Sequence, residues 1–189
     1  MFCGSSVGRL ASYPQAAVEL AEVLVTRSIG LVYGGSSVGL MGVLADEVRR
    51  QGGTVTGVIP GALVAREVAH PGLEDLRVVG SMHERKALMA DLADGFVALP
   101  GGFGTLEEFA EMLTWTQLGI QAKPCGLLDV HGYWEHLLRF LDHAVSEGFV
   151  KPANRALVVA GASPADLVDR LAAWRPVVAE EWITRANET

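Results

Sequence analysis

Cysteine and lysine are both scarce in this chain, and each shortage excludes a class of chemistry. The two cysteines, Cys3 and Cys125, each sit in or beside an apolar strand-like run. That excludes a disulfide framework and predicts buried free thiols in a reducing compartment, the cytoplasm. The lysines are Lys86, Lys123 and Lys151 alone, and none has a context that suggests a Schiff base, which argues against pyridoxal chemistry. The five histidines form no H-E-x-x-H and no Cys/His cluster at zinc spacing, so neither a metal nor a cofactor is expected. There is no Gly-x-Ser-x-Gly elbow and hence no sign of an α/β-hydrolase triad. No apolar run approaches the ~18 residues of a membrane span. The start has no basic region followed by an apolar stretch, so no signal peptide is expected. Positive charge is also short: 15 Lys and Arg face 22 Asp and Glu, for a net −7. A nucleic-acid partner is therefore not expected, and any anionic ligand has to be held locally, by helix starts and a few cations.

What is present reads as one α/β unit. The 189 residues are 50% hydrophobic and 20% charged, enough for one sizeable core. Periodicity predicts helices over 14–27, 42–51, 81–92, 105–118, 131–147 and 163–174, and strands over 29–33, 54–59, 76–79, 96–99, 124–128 and 156–159. A first strand has room only at Met1 to Cys3, so either it is very short or the natural start lies upstream. Residues 62–72 form a longer connection. The domain is expected over 1–175, with a tail over 176–189 that carries no clear period. Strands alternating with helices predict a Rossmann-like open parallel sheet with helices on both faces. Ligands of such sheets sit beyond the carboxyl ends of the strands. The Gly/Ser-rich turns after Cys3, Tyr33 and Leu99 all fall at that edge.

The third of these turns carries the strongest signal. In Pro100-Gly101-Gly102-Phe103-Gly104-Thr105-Leu106-Glu107-Glu108, an apolar strand ends in a glycine turn and a helix opens with carboxylates in its first turn. Backbone N–H groups at a helix start are unpaired, which suits a phosphate. The same residues also read as a capping box, with Thr105 accepting from the N–H of Glu108 and Glu108 reaching back to Thr105. The turn Gly34-Gly35-Ser36-Ser37-Val38-Gly39 is neither the dinucleotide fingerprint nor a P-loop. It reads as a phosphate or ribose cradle, or as a tight strand-to-helix turn with Gly42 placed for close packing. In Met82-His83-Glu84-Arg85-Lys86, two cations sit near a helix start, against the dipole. They either bind an anion there or lie on the surface paired with Glu84 or Asp91. Ser81-x-x-Glu84 is a capping box of its own.

Together these motifs resemble one family. Pro100 to Glu108 is similar to the P-G-G-x-G-T-x-x-E signature of the LOG (Lonely Guy) family, and Met82 to Lys86 resembles its M-H-x-R-K element. Gly34 to Gly42, Cys3 to Ser6, Thr114 to Ile120 and Lys123-Pro124 resemble further segments. The resemblance implies hydrolysis of the N-glycosidic bond of an N6-substituted adenosine 5′-monophosphate, giving a free cytokinin base and ribose 5-phosphate. It implies Arg85 and Glu108 as the catalytic pair. Glu67, Lys86, Gly101, Gly102, Phe103, Gly104, Thr105, Glu107 and Thr114 would contact the nucleotide, with Gly34, Gly35 and Ser36 as a second cradle. It also implies a homodimer. Two other readings stand beside it: a general nucleosidase acting on AMP, and a non-catalytic carrier of a nucleotide or of molybdenum cofactor on the same fold.

Overall fold

A computed structural model describes residues 1–64 and 69–176 of the chain. The predicted alternation is present. The elements are α1 (Ser12–Thr26), β1 (Leu31–Tyr33), α2 (Gly39–Arg50), β2 (Val55–Pro60), α3 (Gly61–Val64), β3 (Asp75–Val79), α4 (Met82–Leu92), β4 (Phe96–Ala98), α5 (Phe103–Gln117), β5 (Cys125–Leu128), α6 (Glu135–Ser146), α7 (Pro152–Arg155), β6 (Val158–Gly161) and α8 (Pro164–Ala173). The strands are short, apolar and mutually parallel, in two runs ordered β1-β2-β3 and β4-β5-β6.

The opening residues join these runs. Phe2 bridges Ala98 in parallel; its N–H donates to the Val97 carbonyl at 2.9 Å and its carbonyl accepts from Leu99 N–H at 2.9 Å. On the other side the Met1 amino group donates to the Val32 carbonyl at 2.8 Å. The expected short first strand is therefore this single bridge, lying between β1 and β4. The chain winds outward from it to β3, then returns to β4 on its other side. That reversal is the topological switch point, and its carboxyl edge is where such sheets bind ligands.

Side-chain alternation along β4 sets the layers. Val97 and Leu99 face one core with Leu20 and Leu24 of α1, Leu44 of α2 and Leu167 of α8. Phe96 and Ala98 face the other with Met89 of α4, Phe109 and Met112 of α5, and the partly buried Leu138 of α6. Each fully buried Leu or Phe contributes about 1.5–3 kcal/mol, well above the ~0.3–1 kcal/mol of a charge placed on a helix dipole. The apolar faces, not the charges, fix which side each helix takes.

Most boundaries shift by one to four residues from expectation, among them α2, which starts at Gly39, and α5, which starts at Phe103; three shifts involve special backbone or proline. The helix expected from His131 starts at Glu135, because His131 and Gly132 have φ of 54° and 70° and break the turn. The strand expected over 156–159 lies at Val158–Gly161, because Pro152 starts a helical turn, α7, just before it. Pro60 ends β2 as its last residue rather than closing it from outside. The expected tail lies outside the described residues from 177 onward.

Gly42 packs closely on the turn that precedes α2, as the tight-turn reading expects. A Cβ there would stand 2.0 Å from the Ser37 carbonyl oxygen. Helix propensity favours Gly42→Ala by about 1 kcal/mol, but a fixed backbone oxygen opposes it at a cost of about 1–3 kcal/mol. Urea unfolding of Gly42→Ala is expected to show a net loss of stability.

Candidate active site

The three glycine turns meet at the switch point. Gly4 N–H donates to the Pro100 carbonyl at 3.0 Å, and the Gly4 carbonyl accepts from Leu40 N–H at 3.0 Å. Gly39 has φ of 61°, and a Cβ on it would lie 2.3 Å from the Ser5 carbonyl carbon, so only glycine lets α2 start this close to the opening loop. A Cβ on Gly101 would lie 2.1 Å from Thr105 Oγ1.

Helix α5 opens toward solvent. Its N-cap is Gly102, with no side chain capping it, and its first backbone bond runs from Leu106 N–H to the Gly102 carbonyl at 3.1 Å. The N–H groups of Phe103, Gly104 and Thr105 therefore have no partner within the helix. Phe103 is 93% exposed, and a Cβ on Gly102 or Gly104 would meet nothing within 4 Å. This overturns the capping-box reading. Thr105 is the third residue of the helix, buried against Gly101, and Glu108 does not reach back to it. By contrast, Ser81 caps α4 as expected and accepts from Glu84 N–H at 3.1 Å, while Glu84 accepts from Gly80 N–H at 2.8 Å, one residue beyond the expected donor.

Glu108 instead meets Arg85. Arg85 Nη1 donates to Glu108 Oε1 at 2.6 Å and Arg85 Nε donates to the Val58 carbonyl at 3.1 Å; both side chains are about 10% exposed. Lys86 donates to Glu107 and stands 3.0 Å from Glu111 Oε2. The two cations are thus neither surface charges nor partners of Glu84 or Asp91, because the first turns of α4 face α5. Burial raises the Glu108 carboxyl above its ordinary value and the Arg85 guanidinium pulls it partly back. Glu108 is also faced by the Met1 amino group and by Glu107, and by the Cys3 thiol. The hydrogen bond to Glu107 raises Lys86 above its ordinary value, the opposite of what a Schiff-base lysine needs. Burial pushes the Cys3 and Cys125 thiols up to about 12, and both cysteines are buried and free, so neither is a nucleophile.

The other expected residues divide. Gly34 lies under Arg85: a Cβ there would stand 2.0 Å from Arg85 Nη2. Gly35 has φ of 70°. Ser36 is buried and accepts from Val38 N–H at 3.3 Å, so its hydroxyl serves the turn. Thr114 is exposed, and its hydroxyl donates to the Ala110 carbonyl at 2.7 Å on its own helix; it is not brought to the pair. Glu67 lies outside the described residues. Two contributors escaped the sequence reading. Glu111 recurs four residues after Glu107, a spacing that could have signalled a shared face. Tyr133 donates from its hydroxyl to the Gly101 carbonyl at 2.6 Å across 32 residues, and no local pattern signals that. A cavity of about 460 Å³, lined by Gly30, Thr54, Asp94 and Leu171 among others, opens at the opposite, amino-terminal edge of the strands and is remote from this chemistry.

A family model described as "Possible lysine decarboxylase" matches residues 41–171. The probable cytokinin riboside 5'-monophosphate phosphoribohydrolase LOGL9 of Oryza sativa subsp. japonica is 54% identical over 177 residues, covering 94% of this chain and 78% of that protein. The chain belongs to the LOG family. The cytokinin riboside 5'-monophosphate phosphoribohydrolase LOG5 of Arabidopsis thaliana is 49% identical over the same shares of the two chains. Among solved structures, the molybdenum cofactor carrier protein of Chlamydomonas reinhardtii superposes with a TM-score of 0.65 at 25% identity, covering 90% of this chain and 92% of its own. A molybdenum cofactor binding protein of Rippkaea orientalis superposes equally well at 20% identity and shows the fold alone. This LOG-family chain has the Rossmann-like architecture expected, and among its described residues no helix is long and apolar enough to cross a membrane.

Gly34→Ala is expected to push the Arg85 guanidinium off Glu108. Urea unfolding should show a loss of about 1–3 kcal/mol, and a crystal structure of the variant should show a longer Nη1–Oε1 distance.

Proposed function

We propose that this chain hydrolyses the N-glycosidic bond of an N6-substituted adenosine 5′-monophosphate, releasing the free base, a cytokinin, and ribose 5-phosphate. The observation that carries the reading is the buried Arg85–Glu108 pair at the switch point, beside an uncapped helix start. Relatives about half identical to this chain are named for that reaction.

As the C1′–N9 bond lengthens, positive charge grows on the ribose ring, and carboxylates stabilise it. Arg85, Lys86, Glu107, Glu108 and Glu111 comprise two cations and three carboxylates. Such a cluster favours a cationic sugar over an anion. The phosphate then belongs on the N–H groups of Gly102, Phe103, Gly104 and Thr105, with Gly101 shaping the turn. Gly34, Gly35 and Ser36 line the ribose side. Glu108 takes a proton from the water whose oxygen attacks C1′. The base leaves with the bonding electrons and gains a proton from solvent. Arg85 keeps Glu108 ionised and fixed, and Lys86 fixes Glu107. Glu67 and Thr114 join the substrate contacts on the resemblance alone.

The same reading takes the chain to be a cytoplasmic homodimer of one-domain subunits, without nucleic-acid or membrane partners. Two free thiols favour a reducing compartment. The exposed apolar side chains of Phe103, Leu118 and Ile120, on and just after α5, favour a second copy as partner. The carrier reading has its own support in the 25% identical molybdenum cofactor carrier.

Chromatography of base release from isopentenyladenosine monophosphate and from AMP separates these readings. Release from the prenylated nucleotide is expected, and Glu108→Gln is expected to lower it by about 10²–10⁴-fold with an unchanged circular dichroism spectrum. Release from AMP alone would make the chain a general nucleosidase. Intact binding without release would make it a carrier.

The pH profile tests Glu108 separately. Only the ionised carboxylate acts as base, so kcat/KM is lost as pH falls through the Glu108 pKa, which burial holds above the ordinary 4.5. Arg85→Gln removes the cation that opposes that rise, so the acid limb of its residual activity is expected at still higher pH.

A further inference from the structure

We infer that His70 is a positioning residue for the Arg85–Glu108 pair, clamping the Gly34–Gly35 turn beneath the Arg85 guanidinium. The inference rests on the proposal that this pair acts on substrate.

His70 is 5% exposed, and its backbone N–H and both ring nitrogens are engaged. Its backbone N–H donates to the Gly35 carbonyl at 2.9 Å. Its Nδ1 accepts from Gly72 N–H at 3.2 Å, so the ring proton sits on Nε2. Nε2 then donates to Asp46 Oδ1 on α2 at 3.1 Å. Next to it, Ala69 forms an antiparallel bridge with Ser36. The ring therefore ties the segment from 69 to 72 to α2, and that segment holds the glycine turn by backbone bonds. The turn has little room to move elsewhere: a Cβ on Gly57 would lie 2.8 Å from the Gly35 Cα. Gly34 in turn lies against Arg85 Nη2, while Arg85 Nε is held by Val58. Thus Asp46, His70, the Gly35 carbonyl, Gly34 and Arg85 form one contiguous path ending at Glu108.

A core histidine with satisfied bonds would affect stability alone. A clamp makes a different demand. If the turn lifts, the guanidinium can leave Glu108, and the carboxyl loses the cation that favours its ionised form. The titration of Glu108 therefore reports the clamp without any substrate.

The test follows the Glu108 side-chain carboxyl carbon by NMR across pH in wild type, His70→Ala, His70→Gln and Asp46→Ala, with kcat and KM for isopentenyladenosine monophosphate measured alongside. His70→Ala and Asp46→Ala are expected to move the Glu108 midpoint to higher pH and to lower kcat about tenfold with KM little changed. His70→Gln, which can still donate to Asp46, is expected to recover part of both. An unmoved midpoint and wild-type kcat in folded His70→Ala would overturn the clamp. Should His70→Ala fail to fold, the exposed Asp46→Ala decides by the same two readouts. If wild type itself releases no base, the proposed reaction falls, and the NMR midpoint still decides whether His70 holds the pair.

Discussion

The buried ion pair of Arg85 and Glu108 is the constraint around which this edge of the molecule is arranged. Taking two charges out of water costs several kcal/mol each, and replacing such a pair with apolar side chains is often neutral or stabilising by about 1–4 kcal/mol. Stability therefore does not explain why this pair is here. Its surroundings are shaped to hold it: Val58 supplies a carbonyl to Nε, Gly34 gives up a side chain beneath Nη2, and α4 and α5 face each other at their first turns. Burial raises the Glu108 carboxyl and Arg85 restrains that rise, and a raised carboxyl is a stronger base once ionised, which suits the proposed role.

The cations of α4 show how local and tertiary terms trade. A positive charge in a first turn costs about 0.3–1 kcal/mol against the helix dipole. Ser81 and Glu84 offset part of that, one by capping and the other by adding negative charge and satisfying Gly80 N–H. The rest is offset across the interface, where Lys86 meets Glu107 and Glu111. The helix tolerates a poor local arrangement because three carboxylates on α5 make it a good tertiary one.

Much of this was legible in the sequence. Alternating apolar strands and amphipathic helices gave the parallel sheet, and glycine after each of three strands marked the edge where they meet. The misplacement of Arg85 and Lys86 against the dipole was readable as an anomaly. No local rule selects their partners, because Glu108 is 23 residues from Arg85 and Glu107 is 21 from Lys86; only the family resemblance puts Arg85 with Glu108, and nothing in the sequence puts Lys86 with Glu107. The start of α5 differs from expectation for a related reason. Gly102 and Thr105 both suit a helix start, and a Thr-x-x-Glu spacing fits a cap. What decides is tertiary: the Thr105 hydroxyl is buried against Gly101 while Glu108 is drawn to Arg85. Tyr133 and His70 were unreadable for the same cause, since each acts through a backbone carbonyl distant in sequence.

One helix thus presents two opposite poles. At Gly102 to Thr105 its unpaired N–H groups and dipole favour an anion. From Glu107 to Glu111 it carries the carboxylates that favour a cation. Glu108 is six residues beyond the cap, about 9 Å along the axis by the helical rise, and helical side chains lean back toward the N-terminus, which shortens that span. A nucleotide poses the matching pair of demands, a phosphate with fixed negative charge at one end of the ribose and a carbon that turns positive at the other. Arg85 and Lys86 reconcile the two poles. They temper the carboxylates enough for them to be buried near an anion site, yet leave the cluster one charge negative. On the proposed reaction, full neutralisation would remove the stabilisation of the sugar cation, and an uncompensated cluster would repel the phosphate proposed to bind beside it.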